Sequence, residues 1–350
     1  MIYTIRLQKY RSFTDSSFEF DPGVNIIVGP NASGKTNLLE ALIVACCGKS
    51  FRARDAELLA HQQPWARLDV ALEGHERTVK LEQPEQQITK KFVVDGQELH
   101  RLLPGKHLPY VLFEPNDLRL LHGGPEARRE YIDSVIERLE PTYAKLRRDY
   151  RRTLAQRNAL LKQNAGSDSI FVWDVRLSEL GGHIAQQRNK TIGTINQQLA
   201  TVYSDIAGQA VPVEMSYESS CALDNYSSSM LKRLKQNLER DKERGFSGAG
   251  PHRDEILFSL NQHPAKEVAS RGETRTILLA LKTIEAQLLS EQHNQKPILL
   301  LDDVFSELDG ARRRHLTDFL SNYQAFITTT DADIVVQHFM NRCHIIPIEK

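Results

Sequence analysis

Three stretches of the chain carry side chains whose types and spacing could handle a phosphate chain. Gly29-Pro30-Asn31-Ala32-Ser33-Gly34-Lys35-Thr36 fits G-x-x-x-x-G-K-[ST]. In that pattern backbone N–H groups wrap phosphate oxygens, Lys35 reaches the β- and γ-phosphates and Thr36 holds Mg2+ through its hydroxyl. Asp302-Asp303 follow the aliphatic run Ile298-Leu299-Leu300-Leu301. One carboxylate at such a strand end can bind Mg2+, and its neighbour can orient or deprotonate an attacking water. A single acid there could equally be a helix N-cap; a pair, in a chain with a phosphate loop, reads as the Walker B partner of that loop. Ser270-Arg271-Gly272-Glu273 has two compatible readings. S-x-x-E is a capping box, and a capped helix N-terminus with a glycine can present its dipole and a serine hydroxyl to a γ-phosphate. Ser306-Glu307-Leu308-Asp309, directly after the paired carboxylates, would border the same site. The ligand these residues imply is ATP with Mg2+.

The elements that must position them are legible around each motif. Val24-Asn25-Ile26-Ile27-Val28 is a short apolar run suited to one buried strand, and Asn37 to Cys47 reads as a mostly buried helix that Gly48 ends. Strand, loop and helix in that order bring a helix N-terminus onto an anion. Residues 1–28 alternate as a β-meander, and Leu68 to Val94 alternate again as antiparallel strands with Asp95-Gly96 as a turn. Tyr110-Val111-Leu112-Phe113 is a further strand, running into the polar loop Glu114-Pro115-Asn116-Asp117-Leu118. Residues 125–205 are helical, with an interruption at Pro141 and an expected break or bend at Gly181-Gly182. Val211 to Tyr217 reads as a strand and Met230 to Lys242 as a charged helix. After Gly245 the pattern returns to βα units, with a helix from Thr274 and strands at Ile298 and Ala325. The two Walker motifs stand at opposite ends of the chain, so a whole lobe must lie between them. The expected division is 1–120 with 246–350 as an α/β lobe, and 121–245 as an inserted, mainly helical one.

Composition bounds what else the chain could be. Its 350 residues are 40% hydrophobic and 26% charged, with a formal net charge of zero. Nucleic-acid binding would therefore need a local patch. One candidate is the helical stretch holding Lys145, Arg147, Arg148, Arg151, Arg152, Arg157 and Lys162 against Asp149 alone. It is either a solvated helix face or a DNA-backbone patch, with Arg147, Arg148, Arg151 and Arg152 as the candidate contacts. Lys49-Ser50-Phe51-Arg52 is a second basic turn, open to the readings of solvated loop or nucleotide or DNA contact. Cys46, Cys47, Cys221 and Cys343 show no C-x-x-C spacing, as expected of free thiols in a reducing cytosol. No apolar run approaches the length of a membrane span, and the expectation is a cytoplasmic protein.

The order of these motifs resembles the ABC-type ATPase heads of chromosome-maintenance and DNA-repair proteins. More closely, the chain is similar to the RecF family of bacterial recombination mediators. The likeness rests on Phe113-Glu114-Pro115-Asn116-Asp117-Leu118, on Gly124-Pro125 with Arg128-Arg129 and Asp133, on Gly250-Pro251-His252-Arg253-Asp254, and on Leu301 to Asp309. It departs from the family at Glu255, where a second aspartate is common, at Phe246-Ser247, and at Glu273, where glutamine is usual. The resemblance implies a two-lobed ATPase head without a long coiled coil, in which ATP is sandwiched between two protomers. Lys35 and Thr36 would come from one protomer, and Ser270, Gly272 and Glu273 from the other. It implies that the ATP-bound homodimer clamps gapped or junction DNA in replication, repair and the SOS response. It implies that RecR and RecO act with it to load RecA, and that slow, DNA-stimulated hydrolysis serves release. The competing readings are a transport-type ABC ATPase docked on a membrane partner and an ATP-coupled nuclease. Against the first, there is no L-S-G-G-Q run, and Thr329-Thr330-Asp331 stand where a histidine would follow the Ile327 strand. Against the second, no additional carboxylate cluster remains.

Overall fold

Alternating and continuous apolar patterns in the same chain build two kinds of sheet around one helix. The structure, a computed structural model, describes residues 1–84, 87–305, 308–331, 335–339 and 342–348. In chain order the first elements are β1 (Ile2–Tyr10), β2 (Phe13–Glu19), β3 (Val24–Val28), α1 (Lys35–Cys47), β4 (Trp65–Leu72), β5 (His75–Glu82), β6 (Thr89–Val94), β7 (Gln97–Leu99) and β8 (Tyr110–Phe113). Then come α2 (Arg119–His122), α3 (Pro125–Leu139), α4 (Tyr143–Lys162), α5 (Ser167–Ala207), β9 (Val213–Glu218), α6 (Tyr226–Gln236), α7 (Leu238–Arg244), β10 (Glu255–Leu260), β11 (His263–Pro264), α8 (Ala265–Val268) and α9 (Arg271–His293). The last are β12 (Ile298–Asp302), α10 (Gly310–Leu320), β13 (Ala325–Thr329) and β14 (Cys343–Pro347).

The first compact unit comprises Met1–Asp117 and Glu285–Lys350. It contains a six-stranded antiparallel sheet in the order β2-β1-β4-β5-β6-β7 and a five-stranded sheet in the order β14-β3-β13-β12-β8. The second sheet is parallel throughout. Its inner strands read Val-Asn-Ile-Ile-Val, Ile-Leu-Leu-Leu-Asp and Ala-Phe-Ile-Thr-Thr and are buried nearly end to end. Burial on both faces is what such runs require. Beyond its first turn helix α1 is apolar except at Glu40, and Leu38 to Cys46 are all buried. It shares one core with inward residues of the antiparallel sheet (Ile5, Leu7, Leu68, Val79) and of the parallel sheet (Ile27, Leu300, Phe326). A helix enclosed in this way cannot shift without disturbing both sheets, so its N-terminus is a fixed point.

The second unit is Leu118–Ile284. Helices α3 to α7 dominate it, with a three-stranded sheet in the order β11-β10-β9. The insert runs on to Ile284, where the sequence reading closed it at 245. The reason is a pairing between strands well separated in sequence: β10 lies antiparallel to β9, from Glu255↔Glu218 to Leu260↔Val213. Ser270, Gly272 and Glu273 therefore belong to this unit. Helix α5 is continuous through Gly181-Gly182, contrary to the expected break. Those glycines serve packing instead. A Cβ on Gly181 would lie 2.8 Å from Sδ of Met230, and one on Gly182 would lie 2.0 Å from Oγ of Ser227. The missing side chains let α6 approach. The expected single helix from Met230 to Lys242 is two, α6 and α7, meeting at Asn237.

Candidate functional site

The phosphate-loop sequence folds as strand, loop and helix, with the helix starting at Lys35. Gly34 sits at φ 109 as the N-cap residue, and no side chain caps the helix. Both glycines of the pattern are sterically required. A Cβ on Gly29 would lie 2.5 Å from the Ile348 carbonyl oxygen, and one on Gly34 would lie 2.8 Å from Oγ of Ser12. Ala32 adopts φ 64, also left-handed, and Pro30, Asn31 and Ala32 form the exposed crest of the loop. Nζ of Lys35 is buried and donates to the carbonyls of Gly29 at 2.7 Å and Pro30 at 2.9 Å. Ser33 Oγ, inside the loop, is buried without a hydrogen-bond partner. A helix N-terminus with no acidic side chain in its first turn, an ammonium satisfied only by peptide carbonyls and an orphaned hydroxyl fit a multiply charged phosphate.

The paired carboxylates reach the same place from the other end of the chain. Thr36 Oγ1 donates to Asp302, at 2.9 Å from Oδ1 and 3.1 Å from Oδ2. Asp302 stands at the end of β12, beside Thr328 of β13 in the parallel register. The next residue, Asp303, turns out of the strand at φ 52, a left-handed conformation costly for a side chain other than glycine. Ser306 and Glu307 lie outside the described residues. Asp309 is the N-cap of α10, accepting from the Arg312 amide. Among the described residues no group of three or more His, Cys, Asp or Glu side chains could hold a metal ion. A cation here would be held by Thr36 and Asp302 together with the phosphates.

Behind the loop lies a network that the sequence reading missed. Glu40, in the middle of α1, is fully buried. Its carboxylate accepts two bonds from Arg11 at 2.7 and 2.9 Å, one from Ser50 at 2.6 Å and longer ones from Arg52. Burial pushes its pKa up, but the bonds from Arg11, Ser50 and Arg52 outweigh that and hold it below the ordinary glutamate value. Arg52 also reaches Asn37 at 2.7 Å, and Asn37 donates to Ser12 at 2.9 Å. The basic turn at 49–52 thus ties down the first turns of α1. The available signal was an acid inside Leu-Leu-Glu-Ala-Leu-Ile, which had to find cations.

In the second unit, the Ser270 stretch forms the capping box in full. Ser270 N and Oγ both donate to Oε2 of Glu273, at 2.8 and 2.7 Å, and the Glu273 amide donates to Ser270 Oγ at 3.2 Å. Gly272 lies in the first turn of α9.

Comparison with known proteins decides the family. The model of the RecF/RecN/SMC N-terminal domain matches residues 1–346, nearly the entire chain. The chain belongs to the RecF family. It is 36% identical to the DNA replication and repair protein RecF of Moorella thermoacetica over 97% of this chain and 93% of that protein. It is 33% identical to that of Alkaliphilus oremlandii over 94% and 93%. The structure resembles that of the recombination mediator protein RecF-ATPrS of the RecFOR pathway with a TM-score of 0.86 and 29% identity, covering 96% of this chain and 94% of that one. An SMC head bound to the C-winged helix domain of ScpA follows at a TM-score of 0.54 and 13% identity, a likeness of fold. The fold is thus an ABC-type ATPase head with an N-terminal antiparallel sheet and an inserted, mainly helical lobe.

Several of the residues that carried the RecF resemblance in the second unit turn out to be buried architecture, whereas Gly124, Pro125 and Arg253 are exposed. Asp133 accepts both Nε and Nη2 of Arg188 at 2.8 Å and the Tyr143 hydroxyl at 2.6 Å. Asp254 accepts Tyr217, Tyr226 and Ser219 at 2.5, 2.6 and 2.7 Å. Burial pushes the His252 pKa down to about 4, so its ring is neutral and shares a 2.7 Å bond with the Tyr150 hydroxyl. Glu255 is held by a two-pronged pair with Arg128 at 3.0 Å. The basic run on α4 divides in the same way. Arg147 is buried, paired with Glu130, Asp133 and Glu137 at 2.7, 3.1 and 2.8 Å, and this corrects its expectation as a surface contact. Arg157 is buried completely between Asp174 and Asp241. Lys145, Arg148, Arg151 and Arg152 are exposed.

Proposed function

We propose that this chain is an ATP-dependent, DNA-binding recombination mediator that works as a switch. The observation that carries the reading is the convergence of Lys35, Thr36 and Asp302 on one uncapped helix N-terminus, with charge left over on both sides. Lys35 and the loop amides from Gly29 to Gly34 would hold the phosphates of ATP, and Thr36 and Asp302 would hold Mg2+. Bound Mg2+ supplies neutralisation of the phosphoryl oxygens. Asp303 would orient the attacking water and take its proton. Ser270, Gly272 and Glu273 of a second protomer would close the site head to tail, so that ATP governs dimerisation and slow hydrolysis governs release. Relatives of 36% and 33% identity are named for DNA replication and repair. That supports a role on DNA, which we extend to gapped or junction DNA in the cytoplasm and to action with RecR and RecO in loading RecA. Among the described residues no helix is long and apolar enough to cross a membrane, and nothing in the structure favours the transport-type reading.

The test is molar mass by light scattering, with and without ATP-Mg2+ and a gapped duplex, on the parent chain and on Ser270→Arg. The parent should double in mass with ATP-Mg2+ and take up DNA. The variant should keep nucleotide affinity but remain monomeric. A variant that dimerises and hydrolyses at the parent rate would leave Ser270 as a helix cap only.

A further inference from the structure

The paired carboxylates are served by a residue outside every motif described above. Thr328 is fully buried on β13 and faces Asp302 across the parallel register. Its hydroxyl works in both directions. Oγ1 accepts the Asp303 N–H at 2.9 Å and donates to Oδ1 of Asp302 at 2.9 Å, with the Leu301 carbonyl farther away at 3.4 Å. A hydroxyl has one proton to give. With a lone pair committed to the Asp303 amide, that proton points away from the amide, and the nearer, charged acceptor takes it.

Each bond fixes something different. Oδ1 of Asp302 receives Thr328 and Thr36 at the same 2.9 Å distance, so the rotamer of the carboxylate facing the phosphate loop is set from β13. The amide of Asp303 leads directly into the left-handed turn at φ 52. Anchoring that amide sets the direction in which the second carboxylate leaves the strand. Valine has the shape of threonine but neither bond, so packing and positioning can be separated.

We propose that Thr328 is a positioning residue for the metal and water chemistry of this site, acting through Asp302 and Asp303 without touching nucleotide. The proposal rests on the reading of those two carboxylates as holding Mg2+ and activating water. It is tested in the full chain with Thr328→Val, Thr328→Ala and Thr328→Ser, and with Asp302→Asn as reference. Three quantities are measured: kcat, KM for ATP, and the Mg2+ concentration giving half of the ATP-dependent rise in melting temperature. Loss of a hydrogen bond to a charged group corresponds to roughly tenfold or more. Thr328→Val and Thr328→Ala should each lower kcat by about that factor, raise the Mg2+ requirement several-fold and leave KM within about twofold, whereas Thr328→Ser should match the parent on all three. Parent-like kcat and Mg2+ dependence in both hydroxyl-free variants would overturn the proposal. So would equal damage from serine, which would trace the effect to the lost methyl group. In those two cases a shifted Mg2+ requirement in Asp302→Asn keeps the carboxylate reading intact. An unshifted requirement in Asp302→Asn would overturn both.

Discussion

The chain holds two dense polar clusters that are wired differently. In the second unit, carboxylates and guanidiniums neutralise one another. Asp133 sits between Arg188 and Arg147, and Arg157 sits between Asp174 and Asp241. At the phosphate loop of the first unit, in contrast to the Glu40 network behind it, the ions face neutral groups. Lys35 donates to two peptide carbonyls, and Asp302 accepts from the hydroxyls of Thr36 and Thr328. Among the described residues neither Lys35 nor Asp302 makes a salt bridge. Matched charge in a core fixes geometry, and losing one partner is what makes it costly. Charge left over at a loop is a demand for another charged molecule. Residue type and density look alike in the two clusters, and only the residual charge tells them apart.

If that contrast is right, the two clusters should fail in opposite ways. Arg157→Met leaves Asp174 and Asp241 buried without their cation, and should destabilise the protein by about 3–5 kcal/mol in denaturant melts. Nucleotide affinity of the still-folded fraction should be unchanged. An affinity loss comparable to the stability loss would mean that the clusters are not separable. Lys35→Met should do the reverse. Calorimetry should show ATP affinity falling by at least about tenfold, since a charged hydrogen bond is typically worth roughly 1.5–3 kcal/mol. The nucleotide-free melting temperature should stay near that of the parent. The smallest effect is expected on α4, where Arg147 is an internal pair but Arg148 and Arg152 are exposed. Changing those two to Glu should weaken DNA binding across sequences and flatten the dependence of log K on log salt by about 0.9 for each duplex phosphate no longer neutralised. An unchanged slope would return that face to solvent.

The legible parts of this molecule were those specified locally. The strand, loop and helix around Gly29 to Thr36, and the aliphatic strand ending in Asp302, are each written within a short run of consecutive residues. What stayed hidden depended on partners distant in sequence. Nothing near Arg147 or Arg157 distinguishes them from Arg148 or Arg152. Their burial is decided by α3 and by Asp241 on α7. The pairing of β10 with β9 was hidden for the same reason. Gly181-Gly182 misled because glycine lowers helix propensity, while here close helix packing prevailed. Glu40 carried a usable signal, but its partners Arg11, Ser50 and Arg52 come from two separate turns.

The order of the parallel sheet has a consequence for how the protein is made. Strand β3 lies between β13 and β14, so its two neighbours come from the far end of the chain. The antiparallel sheet and α1 need only the first part of the chain and can begin to assemble as it leaves the ribosome. Strand β3 cannot be covered until some 300 further residues have emerged, which at about 5–20 residues per second takes roughly 15–60 s. Through that interval the strand that launches the phosphate loop exposes an apolar surface, although the helical insert, synthesised between the two, can already fold. A nascent chain arrested before β13 should therefore be the form most dependent on chaperones.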